Sequence, residues 1–215
     1  MIKAILFDLD GVLVDSEPVN VEAGLRSFKE QGIRLTGSER KLIIGRHPAD
    51  YPKIFDKRFD AKRIVKQHSF HYNRLYARTA KPLPYAKAFV HAVISRGFKT
   101  ALVTASEKGV VAMALKKIRL GRVFDRFVTF EDCKKRKPAP DVYLLAAKRL
   151  RMRPKECVVV EDSIVGVEAA RRAGMKCIAV TNSFPASKLR KADLIVKNLN
   201  DKRIWRLIDF SQKSF

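Results

Sequence analysis

The segment Phe7-Asp8-Leu9-Asp10-Gly11 places two carboxylates two residues apart, directly after the apolar run 4–7. Unpaired carboxylates at the end of a buried strand are costly, and a bound cation would compensate them. A carboxylate placed like Asp8 can attack phosphorus as a nucleophile and form an aspartyl phosphate. Asp10 could then protonate a leaving oxygen and afterwards activate water, while Gly11 permits a tight turn behind the pair. The competing reading is a strand that runs into an Asp-rich turn with both side chains in solvent.

Three further clusters also fall at or just beyond the end of an apolar run. In Val103-Thr104-Ala105-Ser106, a hydroxyl and successive backbone N–H groups leading into a helix can hold a phosphate oxygen. Thr104 or Ser106 could equally be an ordinary helix cap. In Lys137-Pro138-Ala139-Pro140-Asp141, Lys137 closes a run of four bases that begins at Lys134. Two prolines stiffen the backbone behind it. Its ammonium could steady a carboxylate nucleophile and neutralise a transferring phosphoryl group, or the stretch could be a solvated basic loop. In Val160-Glu161-Asp162-Ser163, two adjacent acids end an apolar run, and their hard oxygens suit Mg²⁺. Ser163 is placed to cap the next helix, whose N-terminus could account for one acid without a metal.

Residues of these kinds need rigid elements to position them. Short apolar runs at 4–7, 100–103, 127–130, 157–160, 177–180 and 194–196 read as strands buried on both faces. Helical periodicity occupies 86–95, 108–118, 141–150 and 164–173, the last stopped by Gly174. Strand and helix thus alternate from about residue 98 onward, which predicts an α/β fold with a parallel sheet covered by helices. In such a sheet the strand C-termini converge on one crevice, which would collect all four clusters. Residues 17–79 contain no such strand. Val21, Leu25 and Phe28 share one helical face, and Ile64, Val65, His68, Tyr72, Leu75 and Tyr76 share another. This stretch reads as a helical insertion after the first strand, with Lys81-Pro82-Leu83-Pro84 as its return linker.

Of 215 residues, 45 are basic and 22 acidic, for a net charge of +23. Such a balance favours polyanions or phosphorylated substrates as partners, or serves only solubility. Three cysteines, Cys133, Cys157 and Cys177, with no CxxC pair, support neither a disulfide framework nor a zinc site. No run approaches the length of a membrane span and the N-terminus lacks signal-peptide character, so a cytoplasmic protein without a membrane partner is expected, monomeric by default.

In order and spacing, the four clusters resemble the haloacid-dehalogenase-like superfamily of phosphohydrolases, and the resemblance covers the whole chain. It is strongest to the branch with a small helical cap after the first strand, which includes phosphoglycolate phosphatases, sugar phosphatases and β-phosphoglucomutases. The resemblance implies a Rossmann-like core formed by residues 1–15 and 82–215, and a cap formed by 16–81. It implies Asp8 as nucleophile, Asp10 as acid/base, Thr104 and Ala105 as phosphate-binding residues, and Lys137 as stabiliser of the phosphoaspartate. Mg²⁺ would be held by Asp8, the backbone carbonyl of Asp10 and Asp162, with Glu161 in support. A small phosphorylated metabolite is the expected substrate, chosen by the cap through Glu17, Asn20, Arg46 and Lys53. Arg46 lies in Gly45-Arg46-His47, which is similar to a substrate-contacting cap loop of this branch. From Arg46 to Lys81 there are ten basic residues against three acidic, a balance that would draw in an anion. Where β-phosphoglucomutases carry a histidine after the first motif, this chain has Asn20, which disfavours the sugar-phosphate mutase alternative. A halide-releasing activity fits the Glu161-Asp162 pair less well than a phosphatase does. A third alternative, of another class, is a basic polyanion-binding protein, with nucleic acid as partner, whose phosphatase activity is secondary.

Overall fold

A computed structural model describes residues 1–44, 46, 48–56 and 58–209. In chain order the elements are β1 (Ala4–Phe7), β2 (Val14–Asp15), α1 (Glu17–Glu30), α2 (Gly37–Lys41), α3 (Ala61–Thr79), β3 (Lys81–Pro82), α4 (Ala86–Ser95) and β4 (Lys99–Val103). They continue with α5 (Lys108–Lys117), β5 (Arg126–Val128), α6 (Asp141–Leu150), β6 (Cys157–Glu161), α7 (Ile164–Arg172), β7 (Lys176–Val180), β8 (Leu194–Val196) and α8 (Arg203–Asp209). The chain divides into two compact units, one formed by Met1–Val14 with Pro82 onward, the other by Asp15–Lys81.

The larger unit is a Rossmann-like α/β fold. Its sheet has the order β5-β4-β1-β6-β7-β8, and every neighbouring pair is parallel. Ala4 lies opposite both Lys99 and Cys157, and Phe7 opposite both Leu102 and Val160. The chain therefore builds outward from β1 to β5 on one side, returns, and builds outward from β6 to β8 on the other. The switch in direction falls between β1 and β6, and at such a point the strand ends leave a crevice. All four residues of β1 are buried, as are all five of β6, which is why 4–7 and 157–160 read as unbroken apolar runs. Helices α4, α6 and α7 cover them through Phe89, Val90 and Val93, through Val142, Ala146 and Leu150, and through Val167 and Ala170.

One strand differs from expectation. The run at 127–130 is a strand only to Val128; Phe130–Asp132 is a 3-10 turn. Asp132 accepts from the Thr129 backbone N–H at 2.8 Å, so a capping carboxylate, rather than another strand, takes the next donor.

The smaller unit is helical, with a core of Phe28, Leu35, Ile43, Tyr51, Phe55 and Ile64. Phe28 stacks on Tyr51 at 5.4 Å. Gly24 lets Tyr51 approach α1, since a Cβ there would lie 2.9 Å from the Tyr51 hydroxyl. Reciprocal capping between Thr36 and Glu39 starts α2, and Asp60 caps α3 by accepting from the Arg63 N–H at 3.0 Å. Among the described residues, no helix is long and apolar enough to cross a membrane.

Candidate active site

Asp8 is the first residue past β1. Its backbone N–H donates to Val160 O at 3.0 Å, extending the β1–β6 ladder by one step and bringing it level with Glu161. Lys137 Nζ donates to Asp8 Oδ1 and to Glu161 Oε1, each at 2.6 Å. The Tyr143 hydroxyl donates to the same Glu161 Oε1 at 2.7 Å. Glu161 Oε2 accepts from the backbone N–H groups of Asp162 and Ser163 and from the Ser163 hydroxyl. Glu161 is thus wholly buried with both oxygens engaged, as a buried carboxylate requires. Ser163 also caps α7, accepting from Gly166 N–H at 3.0 Å. A Cβ on Gly166 would overlap the Glu161 carboxylate, so the absence of a side chain there makes room for it.

Asp162 accepts from the Ser183 hydroxyl. Asn182 donates to Gly11 O at 2.7 Å, which ties the turn after β1 to the loop after β7. Gly11 has φ +73°, and a Cβ on it would overlap the Asp162 carboxylate; the turn needs glycine for its conformation and for the close approach. On the other side of β1, the Ser106 hydroxyl donates to Asp10 Oδ2 at 2.6 Å, and Ser106 N–H donates to Thr104 Oγ1 at 3.0 Å. Neither Thr104 nor Ser106 caps α5, whose N-cap is Glu107 without a side-chain bond. That leaves the ordinary-cap reading of this motif without support.

Asp8, Glu161 and Asp162 present carboxylate oxygens within 4.8 Å of one another. Against Lys137 alone, three ionised carboxylates leave a charge of −2. Burial, with repulsion from Glu161 and Asp10, pushes Asp8 up to about 8 despite Lys137. Burial, Glu161 and Asp8 raise Asp162 well above the usual carboxylate range, against the Ser183 hydrogen bond. Burial also works against the charge on Glu161, but Lys137 and the Tyr143 and Ser163 hydrogen bonds hold it below its usual value. For Lys137 itself, burial is outweighed by Asp8 and Glu161, and its affinity for the proton rises. Two carboxylates that cannot comfortably ionise, beside a third that does, are what a divalent cation would relieve. The donor set fits a hard ion such as Mg²⁺, which takes few protein carboxylates and keeps several waters. Asp8 and Asp162 are better suited to direct contact than Glu161, whose oxygens already take five donors.

Of the residues expected from sequence, Asp8, Lys137, Glu161 and Asp162 come together directly. Asp10 and Thr104 are linked to each other through Ser106, and Ala105 is exposed beside them. In the Asp15–Lys81 unit, Asn20 Nδ2 donates to Glu17 Oε1 at 3.1 Å, and His68 Nε2 lies 3.0 Å from Asn20 Oδ1. His71 Nε2 faces Glu30 at 2.7 Å, so the two histidines serve different contacts. Arg46 and Lys53 are exposed; Gly45 and His47 lie outside the described residues. Sequence reasoning missed Tyr143, Gly166, Asn182 and Ser183. Tyr143 sits within an apolar helix face and looks like core. Thr181-Asn182-Ser183 did carry a signal, since it is polar and follows an apolar strand in the same way as the other clusters.

The description "haloacid dehalogenase-like hydrolase" belongs to the family model that matches residues 5–180. A phosphorylated carbohydrates phosphatase of Thermotoga maritima is 32% identical, over 82% of this chain and 83% of its own. Hexitol phosphatase A of Escherichia coli K12 is 32% identical, over 92% of this chain and 91% of its own. Among solved structures, a HAD hydrolase (family IA, variant 3) from Entamoeba histolytica superposes with a TM-score of 0.85 at 25% identity, covering 99% of this chain and 100% of that one.

Proposed function

The chain belongs to the haloacid dehalogenase-like hydrolases and is a phosphoric monoester hydrolase, and we propose that it acts with Mg²⁺ through an aspartyl phosphate on Asp8. The observation that carries this reading is the bridge of Lys137 between Asp8 and Glu161, at 2.6 Å to each, beside the Asp162 carboxylate. One oxygen of Asp8 attacks phosphorus while the ester oxygen departs. Asp10, held by the Ser106 hydroxyl, gives that oxygen its proton. Asp10 then takes a proton from water, the water oxygen attacks the phosphorus of the aspartyl phosphate, and Asp8 is regenerated with release of inorganic phosphate. The Thr104 hydroxyl and the Ala105 N–H receive phosphoryl oxygens, and Lys137 offsets charge on both the nucleophile and the phosphoryl group. Asp8 and Asp162, with the Asp10 carbonyl, would hold Mg²⁺, which supplies charge neutralisation at the phosphoryl oxygens when bound.

The substrates in this reading are small phosphorylated metabolites, sugar and sugar-alcohol phosphates first among them, a choice supported by the names of the two relatives. The Asp15–Lys81 unit takes the part of a cap that selects them, with Glu17, Asn20, Arg46 and Lys53 as its contacts. Phosphate release over a panel of hexose phosphates, hexitol phosphates, phosphoglycolate and nucleotides, with and without Mg²⁺, tests the class. Asp8→Asn is expected to lower turnover by on the order of 10³-fold or more while the protein stays folded. Substantial turnover in that variant would overturn the nucleophile assignment.

A further inference from the structure

Helix α3 is patterned for two different surroundings. At about 100° per residue, Ile64, Val65, His68, Tyr72, Leu75 and Tyr76 fall within one arc, and Ile64, His68 and Tyr76 are buried. The opposite arc carries Lys62, Arg63, Lys66, Phe70, Arg74 and Arg78, all exposed. No acidic residue occurs in the 19 residues of the helix.

Some basic side chains of the other unit share an acid. Glu168 takes Arg171, Arg172 and Lys191, and Glu156 takes Lys3 and Arg153. Among the described residues, no carboxylate pairs with Lys62, Lys66, Arg74 or Arg78. Phe70 stands near the middle of this arc, 55% exposed, with the Arg74 guanidinium carbon 5.3 Å from its ring centroid. A ring in the middle of a row of cations offers a flat apolar face beside groups that can hold phosphates. Lys62, Lys66, Phe70, Arg74 and Arg78 follow one another every four residues, about 6 Å of helical rise per step.

We propose that this face of α3 binds single-stranded nucleic acid, with its cations on the phosphate backbone and Phe70 stacked on a base. Cations alone would suit any polyanion, whereas an exposed aromatic among them suits one that carries bases. A lipid surface is the poorer match, because an interfacial helix buries a whole apolar face. Helix α3 turns Ile64 into the core of the smaller unit and leaves the Phe70 ring outside.

Fluorescence anisotropy with a labelled oligothymidylate bearing a 5′-hydroxyl end, in EDTA, tests this apart from the acidic site. Heparin serves as a polyanion without bases, and phosphatidylserine vesicles as a lipid surface. The intact chain is expected to bind the oligonucleotide with a steep salt dependence. K62E/K66E/R74E/R78E should lose at least about tenfold in affinity. Phe70→Ala should lose about tenfold for the oligonucleotide, the worth of one stacked base, and nothing for heparin. Circular dichroism and a retained cooperative melting transition would show that the variants remain folded. Oligonucleotide binding by the fourfold variant as tight as that of the intact chain would overturn the proposal. So would a Phe70→Ala effect that is equal, or absent, for both polyanions, or binding to the vesicles alone.

Discussion

At the ends of β1 and β6, Glu161 is wholly buried and takes five donors, and Lys137 is fixed between two carboxylates. In the Asp15–Lys81 unit, Arg46 and Lys53 stand exposed at the surface. The first region is preorganised. Its charges lie where water cannot screen them, and each group has one geometry that satisfies its neighbours. The second is solvated, so its charges cost little to hold and contribute little to stability. Chemistry that must be repeated on every substrate suits the first kind of site, and recognition that differs from substrate to substrate suits the second.

The sharpest way to break this contrast is Asp162→Asn. If the strand-end carboxylates act as one metal site, Mg²⁺ affinity should fall by on the order of 10²-fold, as read from Mg²⁺ titrations of phosphate release and of melting temperature without substrate. Unchanged Mg²⁺ dependence would remove Asp162 from the ligand set. Proton linkage should be almost as large. Without metal, Asp8 holds its proton up to about pH 8, and Asp162 is raised too, so a cation must displace protons at neutral pH. Raising the pH toward 8 deprotonates Asp8 in advance, and apparent Mg²⁺ affinity should therefore increase by about tenfold per pH unit for each proton displaced, with the Asp8 contribution flattening above pH 8. Calorimetry in buffers of different ionisation enthalpy counts the protons released; a count of zero contradicts the linkage.

Tyr143→Phe removes one of the two donors on Glu161 Oε1 and keeps the ring. A hydrogen bond to a charged group is worth about 1.5–3 kcal/mol. Turnover is accordingly expected to fall about ten- to a hundredfold with KM unchanged, because Tyr143 bears on Glu161 and Lys137 and not on substrate binding. A change in KM alone would assign Tyr143 to binding instead. The smallest effects are expected in the second region. Arg46→Ala and Lys53→Ala should each raise KM by about two- to fivefold with turnover unaltered. A large loss of turnover from either would mean that the exposed unit takes part in the chemistry.

How far the site could be read in advance depended on how local each piece was. Asp8, Thr104, Lys137 and the Glu161-Asp162 pair each stand at the end of a continuous run whose pattern lies within a few neighbouring residues. Tyr143 could not be separated from Val142 and Ala146, because an aromatic on a buried helix face looks the same whether or not its hydroxyl has a charged partner. Gly166 gave no sign of its purpose either, since the atom it makes room for belongs to another element. The strand expected at 127–130 was too long because Asp132 competes for the Thr129 N–H, and apolar periodicity does not register such a bond.

Alternation of apolar runs with helical periods determined an α/β fold of parallel strands, and the polar residues closing those runs determined which groups could do chemistry. Both follow from short-range pattern, since burial on two faces and helical period are written in adjacent residues. Only the tertiary structure set β1 between β4 and β6, and so fixed which strand ends share the crevice. It alone passed Ser183 to Asp162, Asn182 to Gly11 and Tyr143 to Glu161, and it alone left Phe70 facing water. Hydrogen bonds and burial depend on distance in space, and separation along the chain does not encode that distance.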